Sequence, residues 1–309
     1  MDFLRPIKLY GAEKITLIYM FLTSYVVVFL LLNNYPVWNL LFIRIGITVL
    51  ILGLAYLTTL NRNKFTIFLR FILVGSLLTY WYPETFEMNR YFINQDSLVA
   101  HWEQSLFHCQ PALVFSKVYP QKTVSELMNL GYFSYYPMII LSSIYFFFKE
   151  RPFFHRYFFV ILFAFLVYYF VFILFPVTGP QYYFEVIGQE NALNGIFPPI
   201  GNFFSQNYID LPQVQSGFFN KLVELAQSVG ERPTAAFPSS HVGVSTLMMI
   251  MLLRHKTHAL FFFLLPFYIL LVFSTVYIQA HYAIDAVVGF FSAFILYYIG
   301  VKLFEMKMS

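Results

Sequence analysis

Charge and cysteine are both scarce in this chain. Of 309 residues only 11% are Asp, Glu, Lys or Arg, less than half the roughly 25% usual in soluble domains. So few charges cannot coat a water-facing surface of this size, which sets aside a soluble globular protein. A single cysteine, Cys109, excludes an intrachain disulfide and leaves the redox compartment unread. Internal repeats, low-complexity tracts and lipidation motifs are missing as well. The first apolar run is long and no small-residue cleavage site follows it, so a cleavable signal peptide is not expected.

What is present is hydrophobic: 59% of the residues, with 40 Phe and 24 Tyr. Apolar stretches lie near 15–32, 40–60, 65–81, 128–148, 157–175, 239–253, 258–279 and 283–301. Most reach or approach the ~20 residues a bilayer helix needs. The expected fold is all-α, a polytopic membrane helical bundle of about eight transmembrane helices. Three parts are expected: an N-terminal three-span module (1–81), an interfacial cap (82–127) and a helical core (128–309). Residues 82–127 and 176–236 are long connections, and long connections tend to be functional or mobile.

The 19 Lys and Arg are not evenly spread. With a cytoplasmic N-terminus, the inner segments hold most of them: Arg5, Lys8 and Lys14; Arg62 and Lys64; Lys149, Arg151 and Arg156; Arg254 and Lys256; Lys302 and Lys307. The longer outer segments hold Arg90, Lys117, Lys122, Lys221 and Arg232, while Arg44 and Arg70 fall inside spans. Every inner turn is basic and no short outer turn is, as the positive-inside rule requires. Both termini are therefore expected in the cytoplasm.

Two histidine motifs stand one hairpin apart. The first is Phe237-Pro238-Ser239-Ser240-His241-Val242-Gly243 and the second Ala280-His281-Tyr282-Ala283-Ile284-Asp285. A span that descends and returns brings both to one level, on the extracytoplasmic side. At i and i+4 of a helix, His281 and Asp285 would share a face, about 6 Å apart along the axis. The carboxylate can accept from one ring nitrogen, fix the tautomer and leave the other lone pair free to attack. His241, behind Pro238, Ser239 and Ser240 at a helix start, faces unpaired N–H groups and the positive end of the dipole, which suit a phosphate. It can protonate a leaving alkoxide as general acid. Taken singly these features are ordinary: Pro-Ser-Ser caps many helices, and interfacial histidines often only donate hydrogen bonds. Their order, spacing and shared level point to one reactive site. His-x3-Asp could ligate zinc, but no convincing third and fourth ligands accompany it. No metal and no cofactor are expected.

At these residues the chain resembles the type-2 phosphatidic acid phosphatase superfamily, most closely its inositol phosphorylceramide synthase-like branch. Pro238-Ser239-Ser240-His241 matches the second family motif, with Ser240 in place of glycine. His281-Tyr282-x-Ile284-Asp285-x3-Gly289 has the wording of the synthase-like third motif, with Thr275 where the family carries arginine. The first motif, Lys-x6-Arg-Pro, survives only as Arg232-Pro233, and Pro176 to Pro180 is followed by Gln181 rather than arginine. The resemblance implies catalysis by His241, His281 and Asp285 through a phosphohistidine, with phosphate held by Ser239, Ser240, Arg232 and Gln181. Arg44 is a second candidate for the missing basic clamp, or else it snorkels to the headgroups. The implied partners are membrane lipids, with no nucleic acid. The implied reaction moves a phosphoalcohol such as phosphoinositol to ceramide or diacylglycerol. A lipid phosphate phosphatase, with water as acceptor, and a non-enzymatic lipid-binding or transport relative are the alternatives.

Orientation is open to direct test. In Lys256→Cys protein whose Cys109 is replaced by serine, labelling should be blocked by an impermeant reagent only from the cytoplasmic side; blocking from outside would invert the topology.

Overall fold

The computed structural model describes residues 7–61, 63–207, 209 and 217–308. Arg5 and Arg62, used in the charge reading, lie outside them. The described chain is helical: α1 (Gly11–Leu32), α2 (Trp38–Leu60), α3 (Lys64–Asn89), α4 (Asp96–Phe107), α5 (Pro111–Val118), α6 (Lys122–Phe133), α7 (Tyr135–Lys149), α8 (Arg151–Leu174), α9 (Pro180–Ile187), α10 (Gln189–Leu193), a 3-10 turn at Phe203–Ser205, α11 (Phe218–Gly230), α12 (Ser240–Arg254), α13 (His258–Tyr277) and α14 (Ala283–Met308). Among the described residues six helices are long and apolar enough to cross a membrane, or seven if α6 and α7 form one bent span. The apolar stretch 239–253 becomes α12, only 15 residues long.

Helix α8 is the axis of the bundle. It is apolar on every side, so it is buried wherever it faces protein; fourteen of its residues, Phe159 to Leu166 among them, are buried. Helices α1 and α3 pack on one side of it, and α7, α12 and α14 on the others. Helix α2 leans on α1 and α3. Helix α13 closes the layer formed with α12 and packs along α6. That last contact is close: a Cβ on Gly131 would stand 2.8 Å from the Leu270 backbone.

Two boundaries differ from the sequence expectation. The third span does not stop at 81; α3 continues through Pro83 to Asn89, so the boundary expected there falls inside a helix. The stretch 128–148 is not one straight span. It starts at Lys122 and bends by 40° between Phe133 and Tyr135, where the Ser134 hydroxyl donates back to the Gly131 carbonyl at 2.6 Å.

Arg44 is neither a phosphate clamp nor a snorkelling side chain. It is buried, and its two Nη atoms donate to both carboxylate oxygens of Glu84 at 2.9 and 3.1 Å. Thr23 Oγ1 accepts from Arg44 at 3.2 Å, and the Tyr80 hydroxyl donates to Glu84 at 3.0 Å. Arg70 is paired likewise with Glu13, through Nε at 2.6 Å and through Nη2. These forks tie α2 to α3 and α1 to α3 within apolar surroundings, where a lone charge would be costly.

Glu84→Ala should therefore strand the Arg44 guanidinium and destabilise the protein by about 3–5 kcal/mol, read as a lower thermal midpoint in detergent. Arg44→Met combined with Glu84→Leu should restore most of the loss.

Candidate active site

Three connections meet at one end of the bundle: the turn 279–282 between α13 and α14, the segment 231–239 before α12, and the loop 175–179 after α8. His281 is not on a helix as its spacing implied; it stands in the turn before α14. Its backbone N–H donates to the Thr275 carbonyl at 3.0 Å, which folds the turn back on α13. Its ring is buried, with Nδ1 2.7 Å from the carbonyl oxygen of Ala236. A carbonyl can only accept, so Nδ1 carries the proton and Nε2 keeps its lone pair.

That lone pair points at His241. Nε2 of His281 lies 3.2 Å from Nδ1 of His241, so the two imidazoles expected to meet do meet. His241 stands at the second residue of α12, half-buried, with its ring stacked on Tyr132 at 4.8 Å between centroids and set against Tyr135 at 4.5 Å. The helix entrance is fixed by α14. The Ser239 N–H donates to the Asp285 carbonyl at 3.0 Å, and Gly289 passes so close that a Cβ there would meet the Ser239 carbonyl oxygen at 2.5 Å.

Asp285 does not sit where the i, i+4 argument put it. Its Oδ2 is 3.6 Å from His281 Nδ1, beyond a hydrogen bond, and accepts instead from the Tyr282 N–H at 2.8 Å. The acceptor that orients His281 is the Ala236 backbone, which no side-chain pattern can announce. Asp285 caps its own helix and adds negative potential beside the imidazole. Its Oδ1 is buried and has no hydrogen-bond partner among the described residues.

The expected phosphate ligands are mostly otherwise engaged. Ser239 is fully buried and its hydroxyl accepts from the Val242 N–H at 3.3 Å, as an N-cap. Ser240 opens α12 and is buried. Arg232 turns back so that Nη1 donates to the Glu231 carbonyl at 2.7 Å. Gln181 donates through Nε2 to the Glu231 carboxylate. Among the described residues no Lys or Arg is hydrogen-bonded or ion-paired to His241, His281 or Asp285.

Three acids that the sequence left unnoticed organise this end. Asp96, at the start of α4, accepts from Thr178 N and Oγ1 at 2.6 and 2.7 Å, Gly179 N at 2.9 Å and the Tyr282 hydroxyl at 3.0 Å. Burial pushes its carboxyl up, and the Thr178, Asn94 and Gly179 donors pull it back. Glu103 accepts from the Ile284 N–H at 2.9 Å, at the positive end of α14; burial raises it to about 8. Glu231, half-buried, is raised to about 7 by burial, against the pull of Gln181 and of His281. His281 itself is lowered to about 4, chiefly by burial, so it is a neutral imidazole at physiological pH. The one signal that could have flagged these acids is their rarity: they are carboxylates in a chain with few.

Among the described residues no group of three or more His, Cys, Asp or Glu side chains is arranged to hold a metal ion. What the arrangement offers is a neutral nitrogen nucleophile facing a second imidazole at a helix N-terminus, in a largely dry setting.

Searches of curated proteins and of solved structures return no match. A family model described as the PAP2 superfamily matches residues 97–299. The match starts in the cap, upstream of every motif that carried the resemblance, and takes in both histidines. Covering well over half of the chain, and with its reactive pair at the geometry just described, it places this chain in the PAP2 superfamily, the type-2 phosphatidic acid phosphatases and their phosphotransferase relatives.

Proposed function

We propose that the protein is an integral membrane lipid phosphotransferase that works through a phosphohistidine on Nε2 of His281. The observation that carries this is the 2.7 Å contact of His281 Nδ1 with the Ala236 carbonyl, which leaves the Nε2 lone pair unprotonated and accepting from His241 Nδ1 3.2 Å away.

In the first half-reaction the Nε2–P bond forms as the bond from phosphorus to the lipid alkoxide breaks, and His241, as imidazolium, gives its proton to the alkoxide. In the second, an acceptor hydroxyl passes its proton to His241 and attacks phosphorus, and the N–P bond breaks. In-line transfer sets nucleophile and leaving group on opposite sides of phosphorus, so His241 must draw back from His281 to admit the phosphoryl group. The N–H groups at the start of α12 face its oxygens. Asp285 and the Ala236 carbonyl stabilise the cationic ring that phosphorylation creates. No step calls for a metal.

The synthase-like wording of the second histidine motif supports transfer of a phosphoalcohol to ceramide or diacylglycerol over release to water. Loop charge supports an extracytoplasmic site with both termini in the cytoplasm.

Purified protein given labelled phospholipid, with and without ceramide or diacylglycerol, should yield a new lipid product. His281→Ala should lower turnover by at least ~10³-fold, the order lost when a covalent nucleophile is removed; turnover at the parent rate would overturn the assignment. Release of free phosphate or phosphoalcohol in place of a lipid product would identify a hydrolase. Turnover should survive dialysis against EDTA, and its loss, restored by added metal, would refute the metal-free mechanism.

A further inference from the structure

Among the described residues the site lacks the group a phosphate-handling enzyme most needs and holds one that such an enzyme should avoid. Among the described residues no Lys or Arg is hydrogen-bonded or ion-paired to either histidine, and Arg232 is folded against its own backbone. In place of a cation stands Glu231, half-buried beside His281 and steadied by Gln181 through its Oε1. A carboxylate there repels a phosphomonoester dianion and gives nothing to a neutral polyol beyond a hydrogen bond.

The surroundings of Glu231 are aromatic. The hydroxyls of Tyr82, Tyr132 and Tyr136 lie within electrostatic range of its carboxylate. Tyr132 is also the ring stacked on His241, so the wall that holds the general acid runs on to the carboxylate. Carboxylate and tyrosine together attract one kind of group, an organic cation: ion pairing supplies the charge, and ring faces take the methylene or methyl surface of an ammonium. Burial raises Glu231 to about 7, and an ammonium beside it would hold it ionised.

From this juxtaposition we propose that Glu231 is a specificity residue that selects a zwitterionic phospholipid donor, its phosphodiester at His281 and its ammonium, two carbons beyond the phosphate ester, at Glu231 and the tyrosine wall. The missing basic clamp then has a reason. A phosphodiester carries a single negative charge, which the helix start and His241 can meet, and the donor brings its own cation. The inference rests on the phosphotransfer reading and narrows its substrate class to choline- or ethanolamine-type headgroups.

The test compares donors with identical acyl chains that differ only in headgroup: phosphatidylcholine, phosphatidylethanolamine, phosphatidylinositol, phosphatidylglycerol and phosphatidic acid. The parent should show kcat/KM at least about tenfold higher for the two ammonium lipids. Glu231→Gln should collapse that ratio towards one, mainly through KM of the ammonium lipids, and Glu231→Asp should keep it. A parent that prefers the anionic donors, or a Glu231→Gln variant that slows every donor alike, overturns the proposal and leaves phosphotransfer standing. Should the parent consume no donor, phosphotransfer fails, and binding decides the headgroup. His281→Ala protein should then bind short-chain phosphatidylcholine more tightly than short-chain phosphatidylglycerol only while Glu231 is intact. Equal binding of the two, or a preference that outlasts Glu231→Gln, overturns it.

Discussion

The end of the bundle that holds both histidines hangs on one buried carboxylate. Asp96 gathers donors from the loop after α8 and from the turn before α14. Without it, the backbone N–H groups of Thr178 and Gly179 and the Tyr282 hydroxyl would have to find partners in a dry interior, at about 1–3 kcal/mol each. Tyr282 follows His281 directly, so its anchoring sets the height of the imidazole. The same loop is bound to the segment before α12: the Ala236 N–H donates to the Val177 carbonyl at 2.9 Å, and the Ala236 carbonyl then receives Nδ1 of His281. From Asp96 to the tautomer of His281 there is an unbroken chain of hydrogen bonds, most of it backbone.

This explains what could and could not be read in advance. Hydrophobic runs report helices directly, and each of the eight stretches is helical. Meeting of His241 and His281 followed from chain order and span length, two quantities that are linear in sequence. The orienting acceptor was assigned to Asp285 because only side chains leave a sequence signature; Ala236 has no such mark. Arg44 looked available because its partner, Glu84, lies 40 residues away and one helix over. Gln181 and Glu231 show the same limit, since a pair fifty residues apart is visible only once α9 and the segment before α12 are side by side. The family match carries the likeness into α4, where no motif had drawn attention to Glu103 or to the helix that follows Asp96.

Among the described residues Asp285 and Glu231 stand near His281 and no Lys or Arg is bonded to either histidine, which under the proposed function alters how a phosphate would be received. In a dry site each carboxylate acts over a longer range than in water, and the helix start supplies only about half a positive charge. In the proposed reaction, attack by a neutral imidazole would create a positive ring at the moment phosphorus is engaged. Asp285, Glu231 and the Ala236 carbonyl would all favour that ring. On the proposed mechanism the arrangement would thus be complementary to the intermediate more than to an incoming anion, which is where catalytic interactions are best placed.

Helix α12 has one more consequence. Its 15 residues make a rod of ~22 Å, about 8 Å less than a typical hydrocarbon layer. With Arg254 and Lys256 anchored at one headgroup boundary, His241 at the other end stands below the opposite boundary unless the bilayer thins to meet it. Under the proposed function, a phospholipid reaching the site would have to sink its headgroup below the plane of its neighbours. Water would follow such a descent poorly, whereas a second lipid with a hydroxyl near its own interface would reach that depth unaided, which is the geometric sense of the proposed transfer.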